Sequence, residues 1–244
     1  MMLLTGCATS GTANPDDPFE GMNRQVYAFN SGVDRWVLLP VTKGYRAVVP
    51  EFARTGVSNA VDNMAEPGNT LNNVLSGRIN DGIETAFRFL VNTTFGIGGL
   101  FDVASWIGME KHNRDFGQAL GTWGVPAGPY LVLPLLGPSG ARDVWSLPVS
   151  YFTNPMTYLL SNDSIVGDYK TEARIGWFTL NALDRRSRMI DDGYDDLRIN
   201  TVDEYSAVRD AYRRLRSKSI YGENRLSEEE ELKGLTPLQL DDGE

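Results

Sequence analysis

EGMNRQVYAFNSGVDRWVLLP, residues 20–40, carries apolar side chains at Met22, Val26, Phe29, Val33, Trp36 and Val37. That is helical spacing, with Asn23, Arg24, Asp34 and Arg35 among the residues between, and it predicts an amphipathic helix that ends before Pro40. The same period recurs along the chain. A second helix opens at Pro50, aligns Phe52, Ala53, Gly56, Val57, Ala60, Val61 and Met64, and stops at Pro67. A third puts Ile79, Ile83, Ala86, Phe87, Leu90 and Val91 on one side and Arg78, Asp81, Glu84 and Arg88 elsewhere. A fourth, around Lys170 to Asp191, carries Trp177, Phe178, Leu180 and Leu183. Near the C-terminus Tyr205, Val208, Tyr212 and Leu215 form a narrower stripe. Asp203 and Glu204 stand at its first turn and Arg213, Arg214 and Arg216 at its last, as the helix dipole prefers. Alternating strand patterns are nearly absent, so the fold is read as all-α. The stripes suit a water-soluble core and helices lying in a membrane interface equally well.

The segment Phe116 to Ala141 has no charged residue and is long enough to span a hydrocarbon core, but Pro126, Pro129, Pro134 and Pro138 rule out one straight transmembrane helix. Its backbone must be covered by protein or line a wet cavity. Gly124 and Gly128 bracket a candidate hinge, followed by the apolar run Tyr130, Leu131, Val132, Leu133, Pro134, Leu135 and Leu136. A mobile apolar hairpin beside a cavity and a buried loop that plugs the core are both compatible with this run.

The N-terminus reads as the end of a bacterial lipoprotein signal. Leu4-Thr5-Gly6 precede Cys7, the chain's single cysteine, with an aliphatic, a small polar and a glycine residue where a lipoprotein signal peptidase requires them. Cys7 then carries lipid; the competing reading is an ordinary thiol. Only Met1-Met2-Leu3 stand upstream, short of a basic start and an apolar run, so further upstream residues are expected. Two or more acyl chains, at about 0.8 kcal/mol per methylene, hold a protein on a bilayer. Ala8 follows the cysteine and favours the outer membrane. Residues 1–6 are thus a residual signal, 7–18 a lipidated tether, 19–220 the helical domain, which a family resemblance implies is a membrane domain, and 221–244 an acidic tail containing Glu228 to Glu231 and Asp241-Asp242.

With 41% hydrophobic and 23% charged residues the chain can bury a core as one domain, and its net charge of -9 argues against nonspecific nucleic-acid binding. Catalytic signals are missing. His112 is the single histidine, in a polar loop where solvation is the default; Ser139 sits in a Gly-Pro-Ser-Gly turn; and no Gly-x-Ser-x-Gly elbow or phosphate-cradling Gly-Lys loop occurs. Asp191, Asp192, Asp195 and Asp196 lack EF-hand spacing and read as a solvated helix end, so no metal or cofactor is expected.

Several ordered motifs carry a family resemblance. Asp16-Asp17-Pro18-Phe19-Glu20-Gly21-Met22-Asn23-Arg24 with Phe29-Asn30 resembles the opening of the MlaA (VacJ) lipoproteins. Asn63 to Pro67, Asn72 to Gly77, Arg88-Phe89, Asn92 to Gly96 and Gly99 to Asp102 are similar to the family's central motifs. The most specific stretch runs from Asp115-Phe116-Gly117 and Leu120 to Gly124, through Gly128-Pro129-Tyr130 and Gly137-Pro138-Ser139, to Arg142-Asp143. Ser146, where glycine is expected, departs from the pattern. The resemblance implies a ring of helices within the inner leaflet of the outer membrane, enclosing an amphipathic channel and associated with trimeric porins. It implies removal of phospholipid misplaced in the outer leaflet and its transfer to a soluble periplasmic carrier of the Mla system. Tyr130 to Leu136 then map onto a hairpin beside the channel, and Arg24, Phe29 and Asn30 either brace the channel or meet head groups. Exposing two chains of roughly 15 methylenes to water costs about 20 kcal/mol or more, so such a passage needs an apolar wall. The alternatives are a structural lipoprotein that scaffolds porins or the cell wall and, more remotely, a lipid hydrolase using His112 or Ser139.

Overall fold

The structure, a computed structural model, describes residues 17–222. Cys7, most of the tether and the acidic tail lie outside the described residues. The described residues form helices and one hairpin, joined by loops. Helix α1 (Glu20–Val33) runs through a π-helical segment (Asp34–Leu38) into α2 (Leu39–Val48). Then follow α3 (Glu51–Leu75), α4 (Ile79–Thr94), α5 (Val103–Trp106), α6 (Phe116–Thr122), and strands β1 (Tyr130–Leu133) and β2 (Gly137–Gly140). After the hairpin come α7 (Ser146–Thr153), α8 (Pro155–Leu159), α9 (Asp163–Val166), α10 (Lys170–Asp191), α11 (Tyr194–Ile199) and α12 (Glu204–Tyr221). Among the described residues no helix is long and apolar enough to cross a membrane.

Both predicted proline stops are overturned. Pro40 is the second residue of α2 within a continuous helical run, and the turn before it is widened, the Leu39 N–H reaching back to the Asp34 carbonyl. Asp34 is held there by Arg186, whose Nε lies 2.6 Å from Oδ1, and by Arg198, whose Nη1 lies 2.9 Å from Oδ2. Pro67 lies inside α3, which continues for two further turns. The amide that proline lacks is offset by side-chain bonds along that stretch. Asn72 Nδ2 donates to the Arg114 carbonyl at 3.1 Å, and Asn73 Nδ2 to the carbonyls of Asn69 at 3.0 Å and His112 at 2.7 Å.

Neighbouring elements close two circuits. In one, α1 leads to α2, α2 packs on α10, α10 passes through α11 to α12, α12 meets β2, and β1 returns to α1. Its centre is the buried apolar cluster of Tyr27, Tyr130, Val132, Tyr205 and Val208. In the other, α3 touches α10 near one end and α6 near the other, and α6 packs on α12. The two circuits share α10 and α12.

The amphipathic helices are turned inside out. On α4 the predicted apolar face looks outward, with Ile79, Ile83, Phe87 and Leu90 about half exposed, while Gly82, Thr85, Arg88 and Asn92 are buried. On α3 the buried residues are Asn63, Glu66, Gly68, Asn72 and Asn73, and Phe52 is exposed. On α10 they are Asp184, Arg186 and Ser187, with Phe178 exposed. Leu215 of the C-terminal stripe also lies exposed beside buried Tyr205 and Val208. Apolar faces exposed to this extent mark a surface that meets lipid or another protein.

The polar interior is held by pairing. Arg88, fully buried, donates from Nη2 to Asp102 Oδ1 at 2.9 Å and from Nη1 to the Met109 carbonyl at 2.7 Å and Ser105 Oγ at 3.2 Å. Its Nε faces Glu66 Oε1 at 3.5 Å. Burial pushes the Asp102 carboxyl up, but hydrogen bonds from Ser105 and Asn92 and the charge of Arg88 outweigh it and bring it down to about 2. Removing one partner of such a pair strands the other, at a cost of about 3–5 kcal/mol. Arg88→Ala is therefore expected to lose that much in detergent-based unfolding, whereas its exposed neighbour Phe87→Ala should lose less than about 1 kcal/mol.

Candidate functional site

The hairpin is fixed on one edge by β2 and on the other by side chains of a helix. β1 pairs antiparallel with β2, Tyr130 opposite Gly140 and Leu133 opposite Gly137. Along the free edge of β1, Asn23 Nδ2 donates to the Tyr130 carbonyl and Asn23 Oδ1 accepts from the Val132 amide, both at 2.9 Å. Asn30 repeats the pattern, donating to the Leu133 carbonyl at 2.9 Å and accepting from the Leu135 amide at 2.8 Å. Each asparagine thus imitates the donor and acceptor of a neighbouring strand. The spacing makes this possible. Seven helical residues rise about 10.5 Å, and the three residues separating the two clamp points on the hairpin rise about 10 Å.

Strand alternation divides the six predicted hairpin residues. Tyr130 and Val132 are buried among Tyr27, Tyr205 and Val208, so they are core residues and not part of an open apolar surface. Leu131 and Leu133 are half-buried, and Leu135 and Leu136 stand exposed at the turn. Leu135 adopts a left-handed φ of 62°, uncommon for a leucine, and the Asn30 acceptor holds its amide there. The Tyr130 hydroxyl is pushed up in pKa by burial and has no hydrogen-bond partner among the described residues.

The two glycines of the predicted hinge differ. Gly124 has φ 85° and ends α6: its amide reaches the Gly121 carbonyl and the Val125 amide the Leu120 carbonyl, each at 3.0 Å. These two bonds form a Schellman motif, so Gly124 has a helix-terminating reason to be glycine. Gly128 has φ 67°, and a Cβ there would stand 3.0 Å from that of Ala141. Its flanking carbonyls, on Ala127 and Pro129, accept from the Arg142 and Ala141 amides, both at 3.1 Å.

Arg24 is committed to bracing. Its Nε lies 2.7 Å from Glu20, its two Nη atoms 3.0 and 2.6 Å from the Asp203 oxygens, and its guanidinium 4.4 Å over the Tyr205 ring. Asp203 also accepts from the Ser206 amide as the N-cap of α12, so Arg24 ties α1 to that helix start. Hydrogen bonding to Arg24 holds the Asp203 carboxyl well below the usual carboxylate range. Phe29, next to the Asn30 clamp, is about half exposed.

His112 is not a freely solvated loop residue. Its Nε2 is 2.9 Å from Glu84 Oε2 and its Nδ1 is 4.0 Å from Asp81. Ser139 Oγ reaches only the Gly140 carbonyl, at 3.4 Å, so the two share no partner. Asp191 pairs with Arg46 and Asp195 with Arg186, where solvated carboxylates were expected. No group of three metal-ligating side chains stands together among the described residues. Sequence reasoning missed Asn23 as a clamp. Its signal was a second asparagine seven positions from Asn30, on the polar face of an otherwise apolar helix.

The family model described as MlaA lipoprotein matches residues 15–219. The chain belongs to the MlaA lipoprotein family. Two MlaA relatives are named intermembrane phospholipid transport system lipoproteins. The one from Escherichia coli K12 is 35% identical over 86% of this chain and 81% of its own length. The one from Haemophilus influenzae is 31% identical over 86% and 83%. An uncharacterised protein of Rickettsia typhi is 37% identical over 85% of this chain and 80% of its own. A solved structure concerned with the structural basis for maintenance of bacterial outer membrane lipid asymmetry superposes with a TM-score of 0.68 at 33% identity. It covers 84% of this chain and 98% of the solved one. The MlaA fold is thus the observed all-α arrangement with a small hairpin.

Asn23→Ala leaves the buried Val132 amide without its acceptor, a loss of about 1–3 kcal/mol. Hydrogen exchange is expected to speed up at Val132 in Asn23→Ala and at Leu135 in Asn30→Ala, with the α4 amides unchanged in both.

Proposed function

We propose that this protein is an outer-membrane lipoprotein, anchored through Cys7 and facing the periplasm, that takes phospholipid misplaced in the outer leaflet and passes it to a soluble periplasmic carrier of the Mla system. The observation that carries the reading is the inverted helices, whose apolar faces lie outside a paired polar interior. Such a body sits in one leaflet without spanning it and gives a head group a polar route through a layer that acyl chains otherwise fill. The second circuit, bounded by α3, α6, α10 and α12, is the proposed amphipathic passage, and the hairpin, which packs on α12, stands beside it. Leu131, Leu133, Leu135 and Leu136 are the residues proposed to meet acyl chains; Tyr130 and Val132 hold the strand in register. Gly128, between two tethered carbonyls, is the proposed pivot, and Gly124 sets the direction in which the segment leaves α6. Asn23, Asn30 and Arg24 position the hairpin against α1 and α12, and Phe29 meets lipid beside them. Trimeric porins are the proposed neighbours of the exposed apolar belt. With no phosphate-cradling Gly-Lys loop in the sequence, lipid movement is downhill here or driven by another component.

Transfer of a labelled phospholipid from vesicles carrying the acylated protein to a soluble acceptor tests the reading. Wild type is expected to accelerate transfer. Leu135→Asp, at an exposed turn, should fold normally yet slow transfer about tenfold or more, because a charge on the acyl path costs several kcal/mol to desolvate. A wild-type protein that transfers no lipid while still binding porin would establish the scaffold reading instead.

A further inference from the structure

A cavity of about 430 Å³ lies away from the hairpin, where the last turn of α2, the first turns of α3 and the last turns of α10 meet. Its lining carries four cations, Arg46, Arg54, Lys111 and Arg188, against the three carboxylates Glu51, Asp62 and Asp191. Three of the cations are committed. Arg46 Nη2 stands 2.7 Å from Asp191, Arg188 2.8 Å from both Asp62 and Asp184, and Lys111 Nζ 3.1 Å from Asp62.

Arg54 is the exception. Among the described residues it has no carboxylate at ion-pair distance; Nη1 reaches only Ser187 Oγ, at 3.5 Å, and Nε is buried without an acceptor. A half-buried guanidinium with open donors costs desolvation that, among the described residues, the long Ser187 contact returns only in part. Its planar fork matches a phosphate or carboxylate. Glu51, on the same rim, likewise has no ion-pair partner among the described residues and suits an ammonium group.

The same corner is apolar on the outside. Val48, two residues after Arg46, and Phe52, two before Arg54, are 81% and 80% exposed. A soluble phosphate has no use for such neighbours, whereas a lipid needs both halves. We propose that this cavity receives the phosphodiester head group of a phospholipid, the phosphate on Arg54 and an amine on Glu51, with the acyl chains leaving over Val48 and Phe52. The assignment rests on the conduit reading above and adds to it a head-group site remote from the hairpin.

The test is native mass spectrometry of the full-length protein in detergent, titrated with phosphatidylethanolamine and with diacylglycerol of the same chains. Wild type should retain phosphatidylethanolamine in preference to diacylglycerol. Arg54→Gln should weaken that retention about tenfold, roughly the worth of one charge-assisted hydrogen bond, and Arg54→Lys should recover part of it. Arg174→Gln, at an exposed arginine outside the cavity, should change nothing. Equal thermal unfolding of wild type and Arg54→Gln excludes misfolding as the cause; if Arg54→Gln unfolds early, the Arg54→Lys result decides, and equal loss in Lys and Gln variants overturns the assignment. Inorganic phosphate that displaces the lipid at equal concentration would make this a free-phosphate site and overturn the lipid. Unchanged lipid retention in Arg54→Gln overturns the site and leaves the conduit standing; no phospholipid retention in wild type overturns both.

Discussion

Most buried charges in this fold are answered from inside the protein, because the apolar faces point outward and there is little hydrocarbon core to rely on. Arg88 secures α4 to α3 and to the turn before α5. Arg186 and Arg198 converge on Asp34, which fixes the widened turn where α1 becomes α2 and so sets the angle at which the first helix meets the hairpin. Arg216 bonds to both Asp115 and Asp143, which joins α12 to the start of α6 and to the turn after β2. Charged pairs of this kind contribute modestly to stability when intact and cost heavily when broken. Their main effect here is to fix geometry.

The hairpin inherits that geometry. Two strands alone are marginal in water, and this pair has four residues on each side. The asparagines of α1 complete its free edge and Tyr130 and Val132 anchor its inner face, so its outer leucines are presented on a supported frame. The outer leucines are thereby held in place by apolar packing behind the strand and polar clamps along its edge. The exposed turn at Leu135 and the tethered glycine at 128 are the places where this frame has least to hold it.

The helices were legible because their period of apolar residues does not depend on which way the stripe faces. The same stripe on α4 describes a core face in water and a lipid face in a membrane, so Phe87 and Leu90 gave the helix and not its orientation. The buried members of α3 and α4, Asn63, Glu66, Arg88 and Asn92, look like surface residues in a sequence, since partners such as Asp102 lie on other elements. Pro40 and Pro67 misled for a local reason: a proline stops a helix only where the lost bond is not offset, and here a widened turn and a row of asparagines do so. The hairpin was visible as an apolar run between glycines, but its division into core and open residues needed the strand register. Arg54 was invisible, because what marks it is the absence of a carboxylate beside it in space among the described residues.

Attachment of phospholipid to the hairpin turn tests the central claim most directly. With a photoactivatable residue in place of Leu135 in the acylated, membrane-bound protein, irradiation followed by mass spectrometry should yield phospholipid adducts, and the same residue in place of the buried Tyr205 should yield none. Intramolecular crosslinks alone at position 135 would contradict a lipid path along the hairpin and reduce it to a structural clasp between α1 and α12.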